Sequence, residues 1–204
     1  MMKLYCSANS PYARKVRVVI HELGLVDQVE LIDTDPRDPD NGFREINPLS
    51  KIPALIANSG DLIIDSPVIC EYLNDIYGQG RLLNNEPAKG WKMRSLIGLS
   101  DGTLDAGMAI RVEGLRPAHL QSEDWVNAQI ATAKRGIARL EQELEYYAQG
   151  VNLVAISVAC TLQWLCFRYG HVDWLGPHPR LSQWLSQFGE RPSMKITAPG
   201  QPLK

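Results

Sequence analysis

The sequence predicts a small α/β domain at the N-terminus, followed by an all-α helical domain. Two observations support this fold class. The first 77 residues combine short apolar runs with two helix-start signals, whereas from Glu86 onward apolar residues recur only at helical spacing. Gly78-Gln79-Gly80 interrupts the chain between the two parts. We therefore expect one domain over residues 1–77 and a second over residues 86–204.

The first domain is predicted to begin with a strand that leads into a helix. Leu4-Tyr5-Cys6 is apolar, and a polar turn follows before Ser10-Pro11. Serine at an N-cap followed by proline is a strong start signal, because the hydroxyl accepts an unpaired backbone N–H and proline has none. A helix is therefore expected from Ser10 to about Leu23. The N-terminus of such a helix suits an anion such as a thiolate or a carboxylate.

The remainder of the first domain is predicted to contain more strands and one more helix. Strands are expected over residues 29–32, 52–56 and 62–64. Prolines and an Asn-Gly pair mark residues 33–42 as a surface loop. Ser59-Gly60-Asp61 is expected to form the turn of a hairpin between the last two strands. Asp65-Ser66-Pro67 repeats the N-cap and proline signal, so a second helix is expected to run to Ile76.

The second domain is predicted to be entirely helical. Helical periodicity covers residues 87–113, 122–147, 153–169 and 178–189. Residues 151–167 form the most apolar stretch of the chain, but four polar residues interrupt it and it is short for a membrane span. We interpret it as a helix buried on all sides in the protein core.

Composition excludes several classes of function. The 204 residues carry a formal net charge of -2 with scattered basic residues, so neither nucleic acid nor an anionic membrane surface is an expected partner. The N-terminus has no apolar segment of a secretory signal, which makes a cytoplasmic location the default. The four cysteines and four histidines lack the spacing of zinc or helical metal sites, so no metal is expected.

Three motifs in order resemble those of the cytosolic glutathione S-transferases. They are Ser10-Pro11-Tyr12-Ala13-Arg14-Lys15, Asn47-Pro48-Leu49-Ser50-Lys51-Ile52-Pro53 and Asp65-Ser66, and residues 162–169 and 178–193 look like the helical domain of bacterial members. Singly each motif is weak; in this order, before an all-α second half, they are specific. The resemblance implies a thioredoxin-like first domain, a homodimer, and glutathione as the co-substrate that attacks a small hydrophobic electrophile.

Ser10 is the catalytic candidate that the resemblance implies. A free thiol has a pKa near ~8.5, so glutathione needs stabilisation of its thiolate at neutral pH. A hydroxyl hydrogen bond to the charged sulfur contributes roughly 1.5–3 kcal/mol, and a helix N-terminus adds roughly 0.3–1 kcal/mol. Helix statistics alone would make Ser10 only an N-cap. Ser7 is the alternative hydroxyl, and Cys6 is expected in the core.

The resemblance also implies the residues that bind glutathione. Ile52, before a cis Pro53, would pair its backbone with the cysteinyl part of the peptide, although the sequence alone allows a trans proline at a strand start. Lys51 would meet the glycyl carboxylate, and an unpaired surface lysine is a comparable interpretation. Asp65 would accept from the γ-glutamyl ammonium while Ser66 holds the carboxylate beside it.

Two other kinds of function remain open at this point. One is glutathione-dependent peroxide removal or thiol reduction; the absence of a cysteine at position 10 weakens thiol reduction, whereas a peroxidase needs only the thiolate. The other is a non-catalytic transferase-like interaction protein. Ser10, Ile52-Pro53 and Asp65-Ser66 argue against the latter, because a pure interaction module does not need a peptide pocket.

Overall fold

A computed structural model describes residues 1–83 and 86–203 of the chain. The chain divides into two compact units. The first consists of Met1–Asn85 together with Gly189–Lys204, and the second consists of Glu86–Phe188. The first is an α/β unit and the second is entirely helical within the described residues, so the predicted fold class is confirmed.

The first unit is built on a four-stranded sheet. Its elements are β1 (Met2–Cys6), α1 (Pro11–Leu23), β2 (Val29–Asp33), α2 (Phe43–Ile46), β3 (Ala54–Ile56), β4 (Leu62–Ile63), α3 (Ser66–Ile76) and a C-terminal helix, α9 (Pro192–Ile196). The strands follow the order β2-β1-β3-β4, with β1 parallel to β2 and antiparallel to β3. The predicted strands are confirmed, and the short helix α2 is an addition to them.

Helix α1 contributes a large buried surface to the first unit. Its interior residues from Ala13 to Ile20 are all buried, and α1 packs against α3. Gly24 ends the helix in the left-handed conformation, with φ 70°, and its N–H bonds back to the carbonyls of Ile20 and His21. Such a conformation suits glycine because it has no Cβ, so α1 ends where the sequence predicts.

The C-terminal segment belongs to the first unit and packs on α1. The buried guanidinium of Arg14 donates to the carbonyl of Met194 at 3.0 Å and to Thr197 Oγ1 at 3.4 Å. Arg191 forms two hydrogen bonds of 2.9 Å to the carboxylate of Glu22 near the end of α1. We expected residues 86–204 to form one domain, whereas these contacts tie residues after 189 to the first unit.

The second unit is a helical bundle. Its elements are α4 (Pro87–Glu113), α5 (Glu123–Gln142), α6 (Leu144–Tyr147), α7 (Leu153–Arg168) and α8 (Pro179–Gly189), the last residue of which falls in the first unit. Helix α4 packs against α5 and α7. The predicted helix over 122–147 is two helices, because the backbone leaves helical geometry at Glu143.

Helix α7 is the buried helix that the sequence predicts. Its residues from Leu153 to Leu162 are all buried, and Asn152 caps it by accepting from the N–H of Ala155 at 2.9 Å. Within the described residues, none of the helices combines the length and apolar character that crossing a membrane requires.

Candidate functional site

Ser10 caps helix α1, and the cap does not use the O–H donor of its hydroxyl. Its Oγ accepts from the N–H of Ala13 at 3.2 Å, and Pro11 follows at the first helical turn, as predicted. A serine hydroxyl has one donor and two acceptor lone pairs, so capping occupies an acceptor and not the O–H. The cap and the stabilisation of an anion are therefore compatible roles for one side chain.

The residues just before Ser10 differ in their chemistry. Cys6 is the last residue of β1 and is fully buried. Burial raises the pKa of its thiol to about 12, although Arg17 opposes the shift, so Cys6 remains a neutral core residue as expected. Ser7 is half-buried, and its carbonyl accepts from the N–H of Ser10 at 3.3 Å. The hydroxyl of Ser7 thus lies in the same turn as that of Ser10.

Lys51, Ile52 and Pro53 form the segment that enters β3. The Ile52–Pro53 peptide bond is cis, as the resemblance implied. Pro53 is buried, Ile52 is half-buried and Lys51 is exposed. Ladder pairing with β1 begins only at Ala54, so the backbone of Ile52 lies just outside the sheet. An extended peptide could pair with it in the manner of an added strand.

Asp65 and Ser66 form the entry to helix α3, whose predicted start is confirmed, although the side chain of Asp65 does not cap it. Asp65 occupies the N-cap position and its carbonyl accepts from the N–H of Ile69 at 2.9 Å, but its carboxylate makes no capping hydrogen bond. Asp65 is exposed, whereas Ser66, the first helical residue, is only 2 % exposed. The Ile64–Asp65 peptide bond is also cis. The carboxylate can therefore accept from a cationic ligand without giving up a helix cap.

The sheet brings these three segments to one end of the first unit. Strand β1 is antiparallel to β3, with Tyr5 opposite Ala54, so the turn that carries Ser10 leaves the sheet beside the start of β3. Strand β4 is antiparallel to β3 as well, with Leu55 opposite Ile63. Asp65 therefore leaves the sheet beside Ile52-Pro53. Residues that are distant in sequence share one end of the sheet because of the order and the direction of its strands.

Comparisons with known proteins identify the family to which the two units are similar. Residues 9–76 match the family model described as glutathione S-transferase, N-terminal domain, and residues 123–186 match the corresponding C-terminal domain model. An uncharacterized GST-like protein of Escherichia coli K12, YibF, is 33 % identical over 201 residues, which cover 97 % of this chain and 98 % of the relative.

Two solved structures are similar over nearly the whole chain. A glutathione S-transferase from Methylobacillus flagellatus KT with glutathione bound is 36 % identical, with a TM-score of 0.91 and coverage of 98 % of this chain and 100 % of the other. A glutathione transferase family member from Pseudomonas fluorescens Pf-5, also with bound glutathione, is 36 % identical, with a TM-score of 0.92 and coverage of 98 % and 99 %. Together with the family models they confirm the thioredoxin-like fold of the first unit.

Proposed function

The chain belongs to the glutathione S-transferase family, and we propose that it is a serine-type transferase, which conjugates the thiolate of glutathione to small hydrophobic electrophiles. The observation that carries the proposal is the convergence of Ser10, Ile52-Pro53 and Asp65-Ser66 at one end of the sheet. Each segment offers a group that matches one part of the tripeptide: a hydroxyl, an unpaired stretch of backbone, and a carboxylate beside a helix N-terminus.

Ser10 would supply the catalytic hydrogen bond. The cap accepts from Ala13 and leaves the O–H to donate to the sulfur, where it favours the thiolate over the thiol. A charge-assisted bond of roughly 1.5–3 kcal/mol lowers the thiol pKa by about 1–2 units at 1.36 kcal/mol each. A general base is then unnecessary, because the thiolate forms in equilibrium with solvent before the electrophile is attacked.

The other residues would hold the peptide. The half-buried backbone at Ile52 suits hydrogen bonding to the cysteinyl part, and the exposed Lys51 suits the glycyl carboxylate. At the opposite end, the exposed carboxylate of Asp65 suits the γ-glutamyl ammonium. The N–H groups at Ser66 and the first turn of α3 suit the adjacent carboxylate. The glutathione-bound relatives support this assignment of ligand.

Two further proposals come from the family resemblance. We propose that the protein is a homodimer with one site per subunit, and that it works in the cytoplasm on reactive, apolar compounds, a detoxification role. The electrophile itself is proposed only by its chemistry, as an apolar molecule with an electron-poor carbon.

Calorimetric titration with glutathione, followed by a conjugation assay with an aryl halide, tests the proposed function. We expect saturable heat with glutathione, and conjugate formation above the rate of a protein-free control. S-methylglutathione should compete for binding without forming product, because its sulfur cannot ionise. Absence of heat and of competition would contradict the transferase and favour an interaction protein. Binding with peroxide reduction but no conjugation would favour the peroxidase.

A further inference from the structure

Asn47 is a fully buried polar residue that organises the loop before Ile52-Pro53. It is 1 % exposed and follows α2, with its backbone N–H donating to the carbonyl of Phe43 at 2.8 Å. Its side chain makes two more hydrogen bonds: Oδ1 accepts from the N–H of Leu49 at 3.1 Å, and Nδ2 donates to the carbonyl of Lys51 at 2.7 Å. One side chain thus closes the loop from 47 to 51 into a ring.

A second contact fixes the same loop from its other side. Ser50 adopts a left-handed backbone conformation with φ 49°, which is uncommon for a residue with a Cβ. Its N–H donates to the carbonyl of Asn47 at 2.8 Å, and its hydroxyl donates to the carbonyl of Pro36 at 2.6 Å. The hydrogen bonds of Ser50 hold the middle of the loop, whereas the Nδ2 group of Asn47 holds the peptide group at the end of the loop, between Lys51 and Ile52.

The Nδ2 bond determines the orientation of the peptide group between Lys51 and Ile52. This peptide bond is trans, since the cis bonds of the described chain lie at Ile52–Pro53 and Ile64–Asp65. In a planar trans peptide the C=O and the N–H point in opposite directions. Because the Lys51 carbonyl points inward to a buried amide, the N–H of Ile52 must point away from Asn47.

We propose that Asn47 is a positioning residue for glutathione, because its buried amide holds the Lys51 carbonyl and thereby directs the Ile52 backbone toward the cysteinyl part of the peptide. This inference rests on the proposed function. Asn47 does not touch the ligand, and acts through the loop. Its loss therefore affects the binding of glutathione, and not the reactivity of a thiolate that is already bound.

Asn47→Asp tests the proposal, because aspartate keeps the shape and the acceptor for Leu49 but cannot donate to Lys51 when it is ionised. Asn47→Ser is the second variant. A neutral serine hydroxyl is easier to bury than an aspartate carboxylate, and the serine side chain is too short to reach the carbonyl of Lys51. The matched control is Asn41, whose Oδ1 accepts from the N–H of Phe43 at 2.9 Å and whose Nδ2 donates to the carbonyl of Asp35 at 2.8 Å. Asn41→Asp and Asn41→Ser alter the same kind of loop bond away from Ile52.

We expect the Kd for glutathione to rise about tenfold or more in the Asn47 variants, and to stay within about twofold in the Asn41 variants. With an aryl halide, KM for glutathione should rise in parallel while kcat at saturating glutathione is unchanged. Melting temperature is recorded for each variant, and Asn47→Ser supplies the result if Asn47→Asp does not fold.

Three results would overturn the proposal. One is a folded Asn47→Ser protein with a lower melting temperature and wild-type affinity, which would make the residue purely structural. Another is an equal loss of affinity in the Asn41 variants, which would make the effect general to the loops. The third is a wild-type protein that binds no glutathione, which would contradict the proposed function and this inference together. Titration of the wild-type protein shows this result before any variant is made.

Discussion

Ser10→Ala should separate the two roles of this hydroxyl, helix capping and stabilisation of a thiolate. Loss of the 3.2 Å bond from Ala13 should lower the free energy of unfolding by about 0.5–2 kcal/mol. Loss of the hydroxyl donor should also raise the pKa of bound glutathione by about 1–2 units, since a charge-assisted bond contributes roughly 1.5–3 kcal/mol. The thiolate fraction at pH 7, and conjugation with it, should fall by roughly 8- to 25-fold, because a thiol with a pKa near ~8.5 is only about 3 % ionised at that pH.

The bound thiol's pKa is the measurement that distinguishes the two roles. Ultraviolet absorbance of the thiolate, followed through a pH titration of the complex, reports it directly, and calorimetry gives the affinity for glutathione. Ser122 offers a matched control, because it caps α5 with a hydrogen bond of the same length, 3.2 Å from the N–H of Trp125. Ser122→Ala should cost similar stability and leave the pKa of bound glutathione unchanged.

An unaltered thiol pKa in Ser10→Ala would refute the reasoning. Ser10 would then be a helix cap and nothing more. The same titration of Ser7→Ala would follow, since Ser7 carries the alternative hydroxyl in that turn. A loss of affinity by more than a few-fold in Ser10→Ala would also contradict it, because the hydroxyl is proposed to act on the charged sulfur rather than on the peptide.

Three further predictions concern binding and stability. Asp65→Ala should weaken glutathione binding by about 2–4 kcal/mol in calorimetry without lowering the melting temperature, since the carboxylate makes no cap; equal affinity would exclude this carboxylate from the site. Glu22→Gln should lower the free energy of unfolding at neutral pH by about 1–3 kcal/mol in urea titrations. Burial by itself raises the pKa of Glu22, but its hydrogen bonds, of which the one from Arg191 is the strongest, outweigh burial and leave this pKa below its usual value. This contribution is complete above the unfolded pKa of about 4.3 and is lost as the pH falls through the lower folded pKa, so the two proteins should converge in acid; a constant difference would contradict the linkage. Asn152→Ala should cost about 0.5–2 kcal/mol by loss of the α7 cap, and an unchanged thermal midpoint would show that the helix start is satisfied differently.

Local signals were enough to predict most of the secondary structure. Ser10-Pro11 marks the start of α1 because capping and the missing proline N–H involve only neighbouring residues. The mostly apolar run at residues 151–167 predicted the buried helix α7 for a similar reason, since its few polar residues leave no wholly polar face. The predicted secondary structure was wrong where neighbouring residues do not determine the backbone conformation. At Glu143 the helix is interrupted, although the apolar periodicity continues through this residue.

The residues of the candidate site are proposed from the sequence, whereas their geometry comes from the structure. The motifs around Ser10, Ile52 and Asp65 identified a family, and the resemblance supplied their proposed roles. Helix statistics also assigned the Asp65 side chain to a cap that it does not form, because propensity records how often a residue caps and not whether its side chain points elsewhere. Asn47 belongs to one of these motifs, yet the sequence does not predict its two side-chain hydrogen bonds within the loop.

By itself the sequence determined the two kinds of domain, the positions of most strands and helices, and the cap at Ser10, since the patterns that predict them involve residues close together in the chain. The tertiary structure alone decided which segments meet. Strand order brings Ser10 beside Ile52-Pro53, and the buried guanidinium of Arg14 reaches the carbonyl of Met194, 180 residues away. Periodicity carries no information about such pairs, because they form only when packing brings together surfaces that local patterns describe separately.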